Sequence, residues 1–278
     1  MHKNKLKIIY ISLSIFLILV GIFLIVRKIE APTINKNSSE ENLIPKIEGT
    51  VKNNTVTEAP KTEIKTNTDI KNEQYIIKDY SVVVPKDPKG NKKVVLLTVD
   101  DGPSSRTLEM IDIMKKHNAK AIFFINGIHD KDYADMIKKT SEEGYTVGNH
   151  TWDHLDLKKE KDTTVIDKEI TKNSELINKN TGSMPKFFRP PYGDITTYVK
   201  QFVKEHGMIF MNWSDAAKDW EKSAREKDVF VGNVIKNLEP GAIILIHEHP
   251  WSLANLDALL TTLEKDGYSY VDPNNIVE

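Results

Sequence analysis

Cysteine is absent from the 278 residues, and neither sign of charge is in excess, since 39 lysines and arginines stand against 40 aspartates and glutamates. Without cysteine the chain has no disulfide, no thiol nucleophile and no thiolate ligand, so a metal site must be built from histidine, aspartate and glutamate. A nucleic-acid-binding protein usually carries a basic excess. We therefore expect no nucleic-acid partner.

One long hydrophobic run lies near the start of the chain. Ile8–Val26 contains 19 residues and no charge, and a helix of that length, at about 1.5 Å per residue, matches the hydrocarbon core of a bilayer. A cleaved signal peptide is the alternative, but its apolar region is shorter and ends at a small-residue cleavage site, whereas this run ends at Arg27 and Lys28. Three lysines and the amino terminus precede the run, which places that end in the cytoplasm. We predict a cytoplasmic tail and transmembrane anchor over residues 1–28, in a single-pass protein of the cell membrane whose bulk is extracellular.

The next segment has little that could form a core. No aromatic residue occurs from Ala31 to Gln74, and neither a helical nor a strand period is present. Such a segment cannot bury enough apolar surface to fold, so residues 29–74 are predicted to be a disordered stalk. The folded domain is then residues 75–278.

From Tyr75 onward, short apolar runs alternate with amphipathic stretches. Seven strands are predicted, at Lys93–Val99, Ala121–Ile125, Tyr145–Val147, Lys186–Phe188, Met208–Met211, Ala242–Ile246 and Tyr268–Val271. Helices are predicted near Ser105–His117, Tyr133–Glu143, Thr164–Asn178, Thr196–His206, Val229–Leu238 and Asn255–Lys265. This alternation indicates an α/β domain with a parallel sheet. A length of about 200 residues favours a barrel over a small open sheet, although the pattern alone does not separate the two.

Polar residues cluster where five of the predicted strands end, which is where the chemistry of α/β folds is found. The clusters are Asp100–Pro103, Gly148–His154, Arg189–Gly193, Asn212–Asp215 followed by Asp219–Trp220, and His247–His249. Because the carboxyl ends of parallel strands share one edge, we expect these clusters to form one site.

Two of the clusters hold side chains suited to a metal and a base. His150 and His154 stand four residues apart, so that on a helical turn both could face one cation. The spacing alone fits a pair of solvated histidines equally well, and a metal needs a third ligand. Asp100 and Asp101 offer one carboxylate as that ligand and the other as a general base. Asp-Asp-Gly-Pro is also good turn chemistry, but a turn does not explain two acids directly after a buried strand.

These segments resemble the polysaccharide deacetylases of the NodB-homology type, carbohydrate esterase family 4. Five segments match the family's motifs in order: Thr98–Ser104, His150–His154, Arg189–Gly193, Asp219–Trp220 and Leu245–His247. The resemblance covers roughly Lys93 to Asp272. The sequence departs from the family at Val99, where phenylalanine is commoner, and at Ala216, where many members have an aspartate. An acid stands one step earlier, at Asp215.

The resemblance implies a metal centre and an acid–base pair. Asp101, His150 and His154 would bind a divalent metal, zinc above all, with cobalt, nickel or manganese as alternatives. Asp100 would be the catalytic base. His247 would be the acid that protonates the leaving amine.

The resemblance also implies supporting roles and a fold. Arg189 would hold Asp100, and Asp219 would orient and tune His247. Three residues would contact the substrate: Tyr192 through its backbone N–H at the oxyanion, and Trp220 and Leu245 as walls of the acetyl pocket. His249 is a weaker candidate for the acid. The family fold is a distorted (β/α)7 barrel, and the seven predicted strands agree with it.

Together these features predict a metal-dependent hydrolase that removes N-acetyl groups from an extracellular amino-sugar polymer, with peptidoglycan N-acetylglucosamine as the first choice. The alternatives are another glycan, namely N-acetylmuramic acid residues, chitin, poly-N-acetylglucosamine or O-acetylxylan, and a non-catalytic glycan-binding module. A two-histidine, one-carboxylate iron oxygenase is a third reading. Such enzymes usually sit on a β-sandwich, which the alternation of helices contradicts.

Overall fold

The computed structural model describes residues 73–278. The predicted anchor at Ile8–Val26 and the predicted stalk up to residue 72 lie outside the described residues. Within the described range, no helix combines the length and the apolar character needed to cross a membrane.

Ten strands and six helices make up the domain. The strands are β1 Tyr75–Lys78, β2 Val82–Pro85, β3 Val94–Gly102, β4 Ala121–Ile125, β5 Thr146–Asn149, β6 Phe187–Phe188, β7 Ile209–Phe210, β8 Asp215–Ala216, β9 Ala242–His247 and β10 Ser269–Tyr270. The helices are α1 Thr107–Lys116, α2 Asp130–Glu142, α3 Thr163–Thr181, α4 Thr197–Glu205, α5 Lys227–Ile235 and α6 Pro250–Lys265. The α/β class predicted from the sequence is confirmed.

Seven parallel strands form the frame of the domain, in the order β8–β9–β3–β4–β5–β6–β7. No strand pairing joins β7 to β8 in the described part of the chain, so the sheet is a half-barrel that stays open between them. Strands β1 and β2 form an antiparallel hairpin, and β2 continues the sheet beside the start of β9.

The core lies on both sides of the sheet. Along β3, Val95, Leu97 and Val99 belong to the outer hydrophobic cluster with the helices, while Val94 and Leu96 belong to the inner one. Successive side chains of a strand point to opposite faces, so the two clusters divide β3 between them. A strand buried on both faces reads as a continuous apolar run, which is why β3, β4 and β9 were visible in the sequence.

The inner face of β3 turns from apolar to polar near its carboxyl end. Thr98 and Asp100 continue the inward series of Val94 and Leu96, and both accept hydrogen bonds from the buried guanidinium of Arg189. This change places the first carboxylate at the end of the half-barrel where the other strands also end.

The last of the seven predicted strands is not one of the seven strands that form the half-barrel. Tyr268–Val271 forms β10, but β10 pairs with Val94 and Val95 at the start of β3, on the edge that β4 occupies further along. The seventh parallel strand is β8, which was not predicted. Its two residues, Asp215 and Ala216, form no apolar run, so no periodicity marked them.

The helices lie close to their predicted positions, with one clear difference. Helix α6 begins at Pro250, five residues before the predicted start near Asn255. Proline fits the first turn of a helix, because its missing N–H would have no partner there. Pro250 was therefore a start signal that the apolar periodicity alone did not capture.

Candidate active site

The carboxyl ends of β3 and β5 bring Asp101, His150 and His154 together. Oδ1 of Asp101 lies 3.6 Å from Nε2 of His150 and 3.5 Å from Nε2 of His154. One ligand atom from each of the three residues lies within 4.8 Å of the others. Oδ1 is buried and accepts no hydrogen bond within residues 73–278. A buried carboxylate oxygen that faces two imidazole nitrogens, without a donor of its own, fits a divalent cation.

The hydrogen bonding of His150 prepares it as a ligand. Its Nδ1 lies 2.8 Å from the carbonyl oxygen of Arg189, which can only accept, so Nδ1 carries the proton and Nε2 is free to face Asp101. Burial lowers the pKa of His150, although the charge of Asp101 opposes this. The imidazole is therefore neutral at neutral pH, which is the form that binds metals.

Four residues of the site have left-handed backbones: Asp101 at φ 63°, Thr151 at 69°, His154 at 62° and Tyr192 at 60°. Such a conformation costs a non-glycine residue on the order of 1 kcal/mol and persists only where the surrounding structure holds it. The left-handed conformation occurs in three different loops at this edge of the sheet. This indicates that the edge is shaped by a requirement other than stability.

A network that the sequence did not reveal holds the histidine loop. Asn126 donates to the carbonyl oxygen of His150, and Asn173 donates to the side chain of Asn149. Glu169 on α3 accepts hydrogen bonds from the backbone N–H groups of Trp152 and Asp153, at 3.0 and 2.9 Å. A signal for these residues was available. Asn126 and Asn149 stand at strand ends, while Glu169 and Asn173 are four apart on the predicted helix.

Asp100 and Arg189 form a buried pair, as the resemblance implied. Nη1 of Arg189 lies 2.8 Å from Oδ1 of Asp100 and 2.7 Å from the hydroxyl of Thr98, while Nη2 donates to the carbonyl oxygen of Asn212. Burial raises the pKa of Asp100, although the charge of Arg189 opposes this. Oδ2 of Asp100 lies 3.7 Å from Nε2 of His150. One carboxylate oxygen is thus fixed and the other faces the histidine cluster.

His247 and Asp219 are directly hydrogen-bonded. Nδ1 of His247 lies 2.7 Å from Oδ1 of Asp219, whose Oδ2 accepts from the His247 backbone N–H and from Ser252. Burial alone would lower the pKa of His247, but the hydrogen bond and charge of Asp219 raise it to about 8. Nε2 of His247 lies 3.9 Å from Oδ2 of Asp101. At neutral pH, more than half of the protein molecules therefore have a protonated His247. Nε2 of this imidazole faces the site.

His249 is less suited to be the acid. Its ring stacks on Trp251 at 4.5 Å, and burial lowers its pKa, although the charge of Asp219 opposes this. Asp219, His247 and His249 also lie close enough to hold a metal. Both oxygens of Asp219 already accept hydrogen bonds, so this second group does not fit a cation.

Two exposed aromatic rings flank the cluster. Tyr192 is 65% exposed as a residue, and its ring packs edge-on against His154 at 4.7 Å between centroids. Trp220 is 52% exposed, and its ring packs edge-on against His247 at 5.8 Å. Leu245 is buried in β9, two residues before His247 and thus on the same side of that strand. The pocket role of Trp220 and Leu245 and the oxyanion role of Tyr192 stay predictions.

Asp215 does not take the place of the missing family aspartate. Asp215 stands in register with Ile244, which belongs to the outer cluster, whereas Ala216 stands in register with Leu245. Side chains of neighbouring strand residues point to opposite faces. The inward position therefore carries the methyl group of Ala216, and the carboxylate of Asp215 faces away from the site.

The domain is an α/β half-barrel with carboxylates and histidines gathered at its strand ends, an arrangement typical of catalytic domains. Comparison with known proteins identifies the family. The family model described as polysaccharide deacetylase matches residues 87–211. The chain is 38% identical over 194 residues to the peptidoglycan-N-acetylglucosamine deacetylase PgdA of Listeria monocytogenes, a match that covers 69% of this chain and 40% of that protein. It is 34% identical over 183 residues to the peptidoglycan-N-acetylmuramic acid deacetylase PdaA of Bacillus subtilis, covering 64% and 69% of the two chains.

Solved structures of similar fold support the same family. The peptidoglycan N-acetylglucosamine deacetylase Bc1960 superposes with a TM-score of 0.61 at 33% identity, over 66% of this chain and 87% of that one. A pseudoenzyme of the CE4 family from Bacillus anthracis superposes with a TM-score of 0.62 at 29% identity, over 66% and 65%. The chain belongs to the polysaccharide deacetylase family, and its domain is one of carbohydrate esterase family 4. It spans about two fifths of the length of the Listeria relative, 40%.

Proposed function

We propose that this protein is a metal-dependent hydrolase that removes N-acetyl groups from peptidoglycan, with N-acetylglucosamine as the sugar. One observation carries the proposal: a buried base candidate, a group of three metal-ligand candidates and an acid candidate converge at the same strand ends. They are Asp100, Asp101, His150, His154 and His247.

Asp101, His150 and His154 would hold the metal. Two imidazole nitrogens face a carboxylate oxygen that lacks a donor in the described residues, and two histidines with one carboxylate suit zinc. Cobalt, nickel and manganese accept the same donors. When bound, such a cation acts as a Lewis acid that polarises a carbonyl oxygen and lowers the pKa of a water.

Asp100 would act as the general base. Arg189 holds Oδ1, and Oδ2 remains available at the site. Burial raises the pKa of Asp100 against the opposing charge of Arg189, and a carboxylate with a raised pKa is a stronger proton acceptor. Asp100 would take a proton from the water whose oxygen attacks the acetyl carbon.

His247 would act as the general acid. Its Nδ1 is held by Asp219, so Nε2 presents the proton, and a pKa raised to about 8 keeps much of the imidazole protonated at neutral pH. When the bond between the acetyl carbon and the amide nitrogen breaks, His247 would give its proton to the departing amine, and acetate would leave. The Tyr192 backbone N–H would stabilise the oxyanion, and Trp220 and Leu245 would enclose the acetyl methyl group.

Support for peptidoglycan comes from the named relatives, one of which is an N-acetylglucosamine deacetylase and another an N-acetylmuramic acid deacetylase. An open cavity of about 630 Å³ beside Tyr192, lined also by Asp156, Lys158, Lys159 and Asp194, offers polar groups for further sugar units. N-acetylmuramic acid residues, chitin, poly-N-acetylglucosamine and O-acetylxylan are the alternative substrates.

A non-catalytic glycan-binding role is the alternative of a different kind. A CE4 family pseudoenzyme shares this fold, so the fold by itself does not decide between them. The complete set of acid, base and ligand candidates favours an enzyme, since a binding module has no need of both a buried Asp100–Arg189 pair and a His247–Asp219 pair.

We also propose that the enzyme works outside the cell, with residues 1–28 as the anchor, 29–74 as the stalk and 75–278 as the catalytic domain. The uncharged run Ile8–Val26 supports the anchor. A coil of the stalk's length has a span on the order of 40 Å, which would hold the domain above the membrane and within reach of the wall.

Mass spectrometry of muropeptides tests the substrate. Muropeptides treated with the full chain in detergent should lose the mass of one acetyl group, and fragmentation should place the loss on N-acetylglucosamine. Loss of the acetyl group from N-acetylmuramic acid would show that N-acetylmuramic acid, and not N-acetylglucosamine, is the substrate. Unchanged muropeptides, together with activity on chitooligosaccharides, would show that the substrate is another polymer.

A further inference from the structure

Glu248 is a buried carboxylate for which the proposed reaction has no use. It follows His247, the last residue of β9, and is 6% exposed. Burying a carboxylate is costly unless it is hydrogen-bonded, so the contacts of this side chain indicate why the chain places it there.

The carboxylate of Glu248 binds the loop that follows Asp100 and Asp101 at the end of β3. Oε2 accepts a hydrogen bond from the hydroxyl of Ser104 and lies 2.7 Å from the hydroxyl of Thr107, while Oε1 lies 3.0 Å from that same hydroxyl. Ser104 and Thr107 are in turn tied to each other, because the backbone N–H of Ser104 donates to the Thr107 hydroxyl at 2.9 Å. Both hydroxyls thus hold the loop and the first turn of α1 against the end of β9.

Glu248 also packs closely against Gly102, the last residue of β3. A Cβ added at Gly102 would lie 2.4 Å from Oε1 of Glu248. Gly102 is the neighbour of Asp101, which has the left-handed φ of 63° and a carboxylate turned toward His150 and His154. A strained residue keeps its conformation only where its surroundings hold it, and Glu248 packs against the next residue of the chain, Gly102.

We infer that Glu248 is a positioning residue that fixes the segment from Asp101 to Thr107, at the end of β3 and the start of α1, relative to the end of β9. Asp100 is already joined to His247 by the pairing of β3 with β9, whereas Asp101 lies beyond that pairing. The backbone of Glu248 continues the strand that ends in the acid, while its side chain holds the segment that follows Asp101, a metal-ligand candidate. The inference rests on the proposed function for its catalytic meaning, but the fastening of the loop is independent of which substrate is cleaved.

The test uses Glu248→Ala and a matched control, Asn255→Ala. Asn255 is a buried polar residue on α6 that donates to the carbonyl oxygen of Arg225 and not to the loop. In the full chain, Glu248→Ala should raise the Kd for Zn²⁺ by about tenfold or more, the usual effect of removing a group that supports a metal ligand. Asn255→Ala should leave that Kd within about twofold of the parent value. Equal Kd values for Glu248→Ala and the parent would overturn the inference.

A second readout needs no metal and no activity. Amide hydrogen exchange over residues 101–107 of the metal-free protein should be faster in Glu248→Ala than in the parent, and unchanged in Asn255→Ala. Unchanged exchange in that loop would overturn the inference. A parent protein that exchanges as expected but releases no acetate would count against the proposed function and leave the role of Glu248 standing.

Two milder variants apply if Glu248→Ala does not fold. Burial raises the pKa of Glu248 to about 7, against the hydrogen bonds from Ser104 and Thr107, so the uncharged Glu248→Gln should fold and weaken Zn²⁺ binding less than alanine does. Thr107→Val removes the hydroxyl from the other side of the contact and keeps its shape. It should raise the Kd and speed exchange in the same loop, and a Thr107→Val protein without either change would contradict the fastening.

Discussion

Asp100 and Asp101 are neighbours in the chain and differ in almost every physical respect. Asp100 lies within β3, points inward, is 2% exposed and accepts a hydrogen bond from Arg189. Asp101 has a left-handed backbone at φ 63°, which turns its carboxylate out of the strand series and toward the two histidines. The residue types alone leave open which acid binds a metal and which acts as base, and the family resemblance assigns the metal to Asp101 and the base to Asp100. The backbone of Asp101 is the observation that favours this division.

Replacing Asp100 with asparagine tests that division. The amide keeps the shape and can still accept a hydrogen bond from Arg189, but it cannot take a proton. Bound metal should therefore stay, while turnover falls by roughly 10²-fold or more. Metal analysis together with the rate of acetate release measures both. Loss of metal from Asp100→Asn would mean that the two aspartates have exchanged roles.

Replacing His150 or His154 with alanine should remove metal and activity together, since each is one of only three proposed protein ligands. His249→Ala is the matched control, because the His249 ring stacks on Trp251 and is not part of the group formed by Asp101, His150 and His154. Elemental analysis of the purified proteins should find metal in the control alone. Full occupancy in either ligand variant would refute the ligand assignment.

The hydrogen bond between His247 and Asp219 predicts how the rate of deacetylation changes at alkaline pH. Asp219 raises the pKa of His247 to about 8 against the effect of burial. An acid works only while it is protonated, so the rate should fall as pH rises through that pKa. Asp219→Asn removes the charge, so it should move the falling limb to lower pH by about one unit or more, with metal content unchanged. If Asp219 served only to stabilise a turn, the limb would stay in place in a profile of rate against pH.

At the scale of elements, helix α3 supports the histidine loop. Glu169 accepts two backbone hydrogen bonds from that loop, so Glu169→Ala leaves two amides without their partner. We expect the free energy of unfolding to fall by about 1–3 kcal/mol and metal affinity to fall with it. Glu175→Ala, at an exposed position of the same helix, is the control. Denaturant unfolding of both variants checks the difference, and equal losses would show that Glu169 has no special role.

The length of an element decided whether it could be predicted. Strands β3, β4 and β9 are five to nine residues long and buried on both faces, so their apolar runs stood out. Strand β8 has two residues, one of them acidic, and its place in the frame comes from pairing with β9, a contact that local pattern does not encode. The same limit applies to the site. Motif residues at strand ends were predictable, whereas Glu169 and Glu248 act through partners that lie 16 to 17 and 141 to 144 positions away along the chain.

For the whole molecule, the start of the folded domain is the testable boundary. Glu73 lies within the predicted stalk, yet its carboxylate accepts hydrogen bonds from the backbone N–H of Asn91 and from the hydroxyl of Tyr75. A protein that begins at Glu73 should be soluble, folded and able to bind metal, with a rate on soluble oligosaccharides close to that of the full chain. One that begins at Tyr75 lacks these bonds and should be less stable in thermal unfolding. An unfolded or aggregated product from Glu73 onward would show that the preceding segment belongs to the core.

The cluster at the strand ends is proposed to be a metal-dependent deacetylase site, and acetate release measured at increasing metal concentration tests this proposal. The full chain would be stripped with a chelator and supplied with increasing Zn²⁺, while acetate and free amine on peptidoglycan are measured together. We predict that acetate and amine appear in equal amounts, that both rise in proportion to bound metal, and that both level off at about one ion per chain. Acetate release that is the same with and without metal, or metal-loaded protein that yields neither product from any N-acetylated glycan, would show that the cluster is not a metal-dependent deacetylase site.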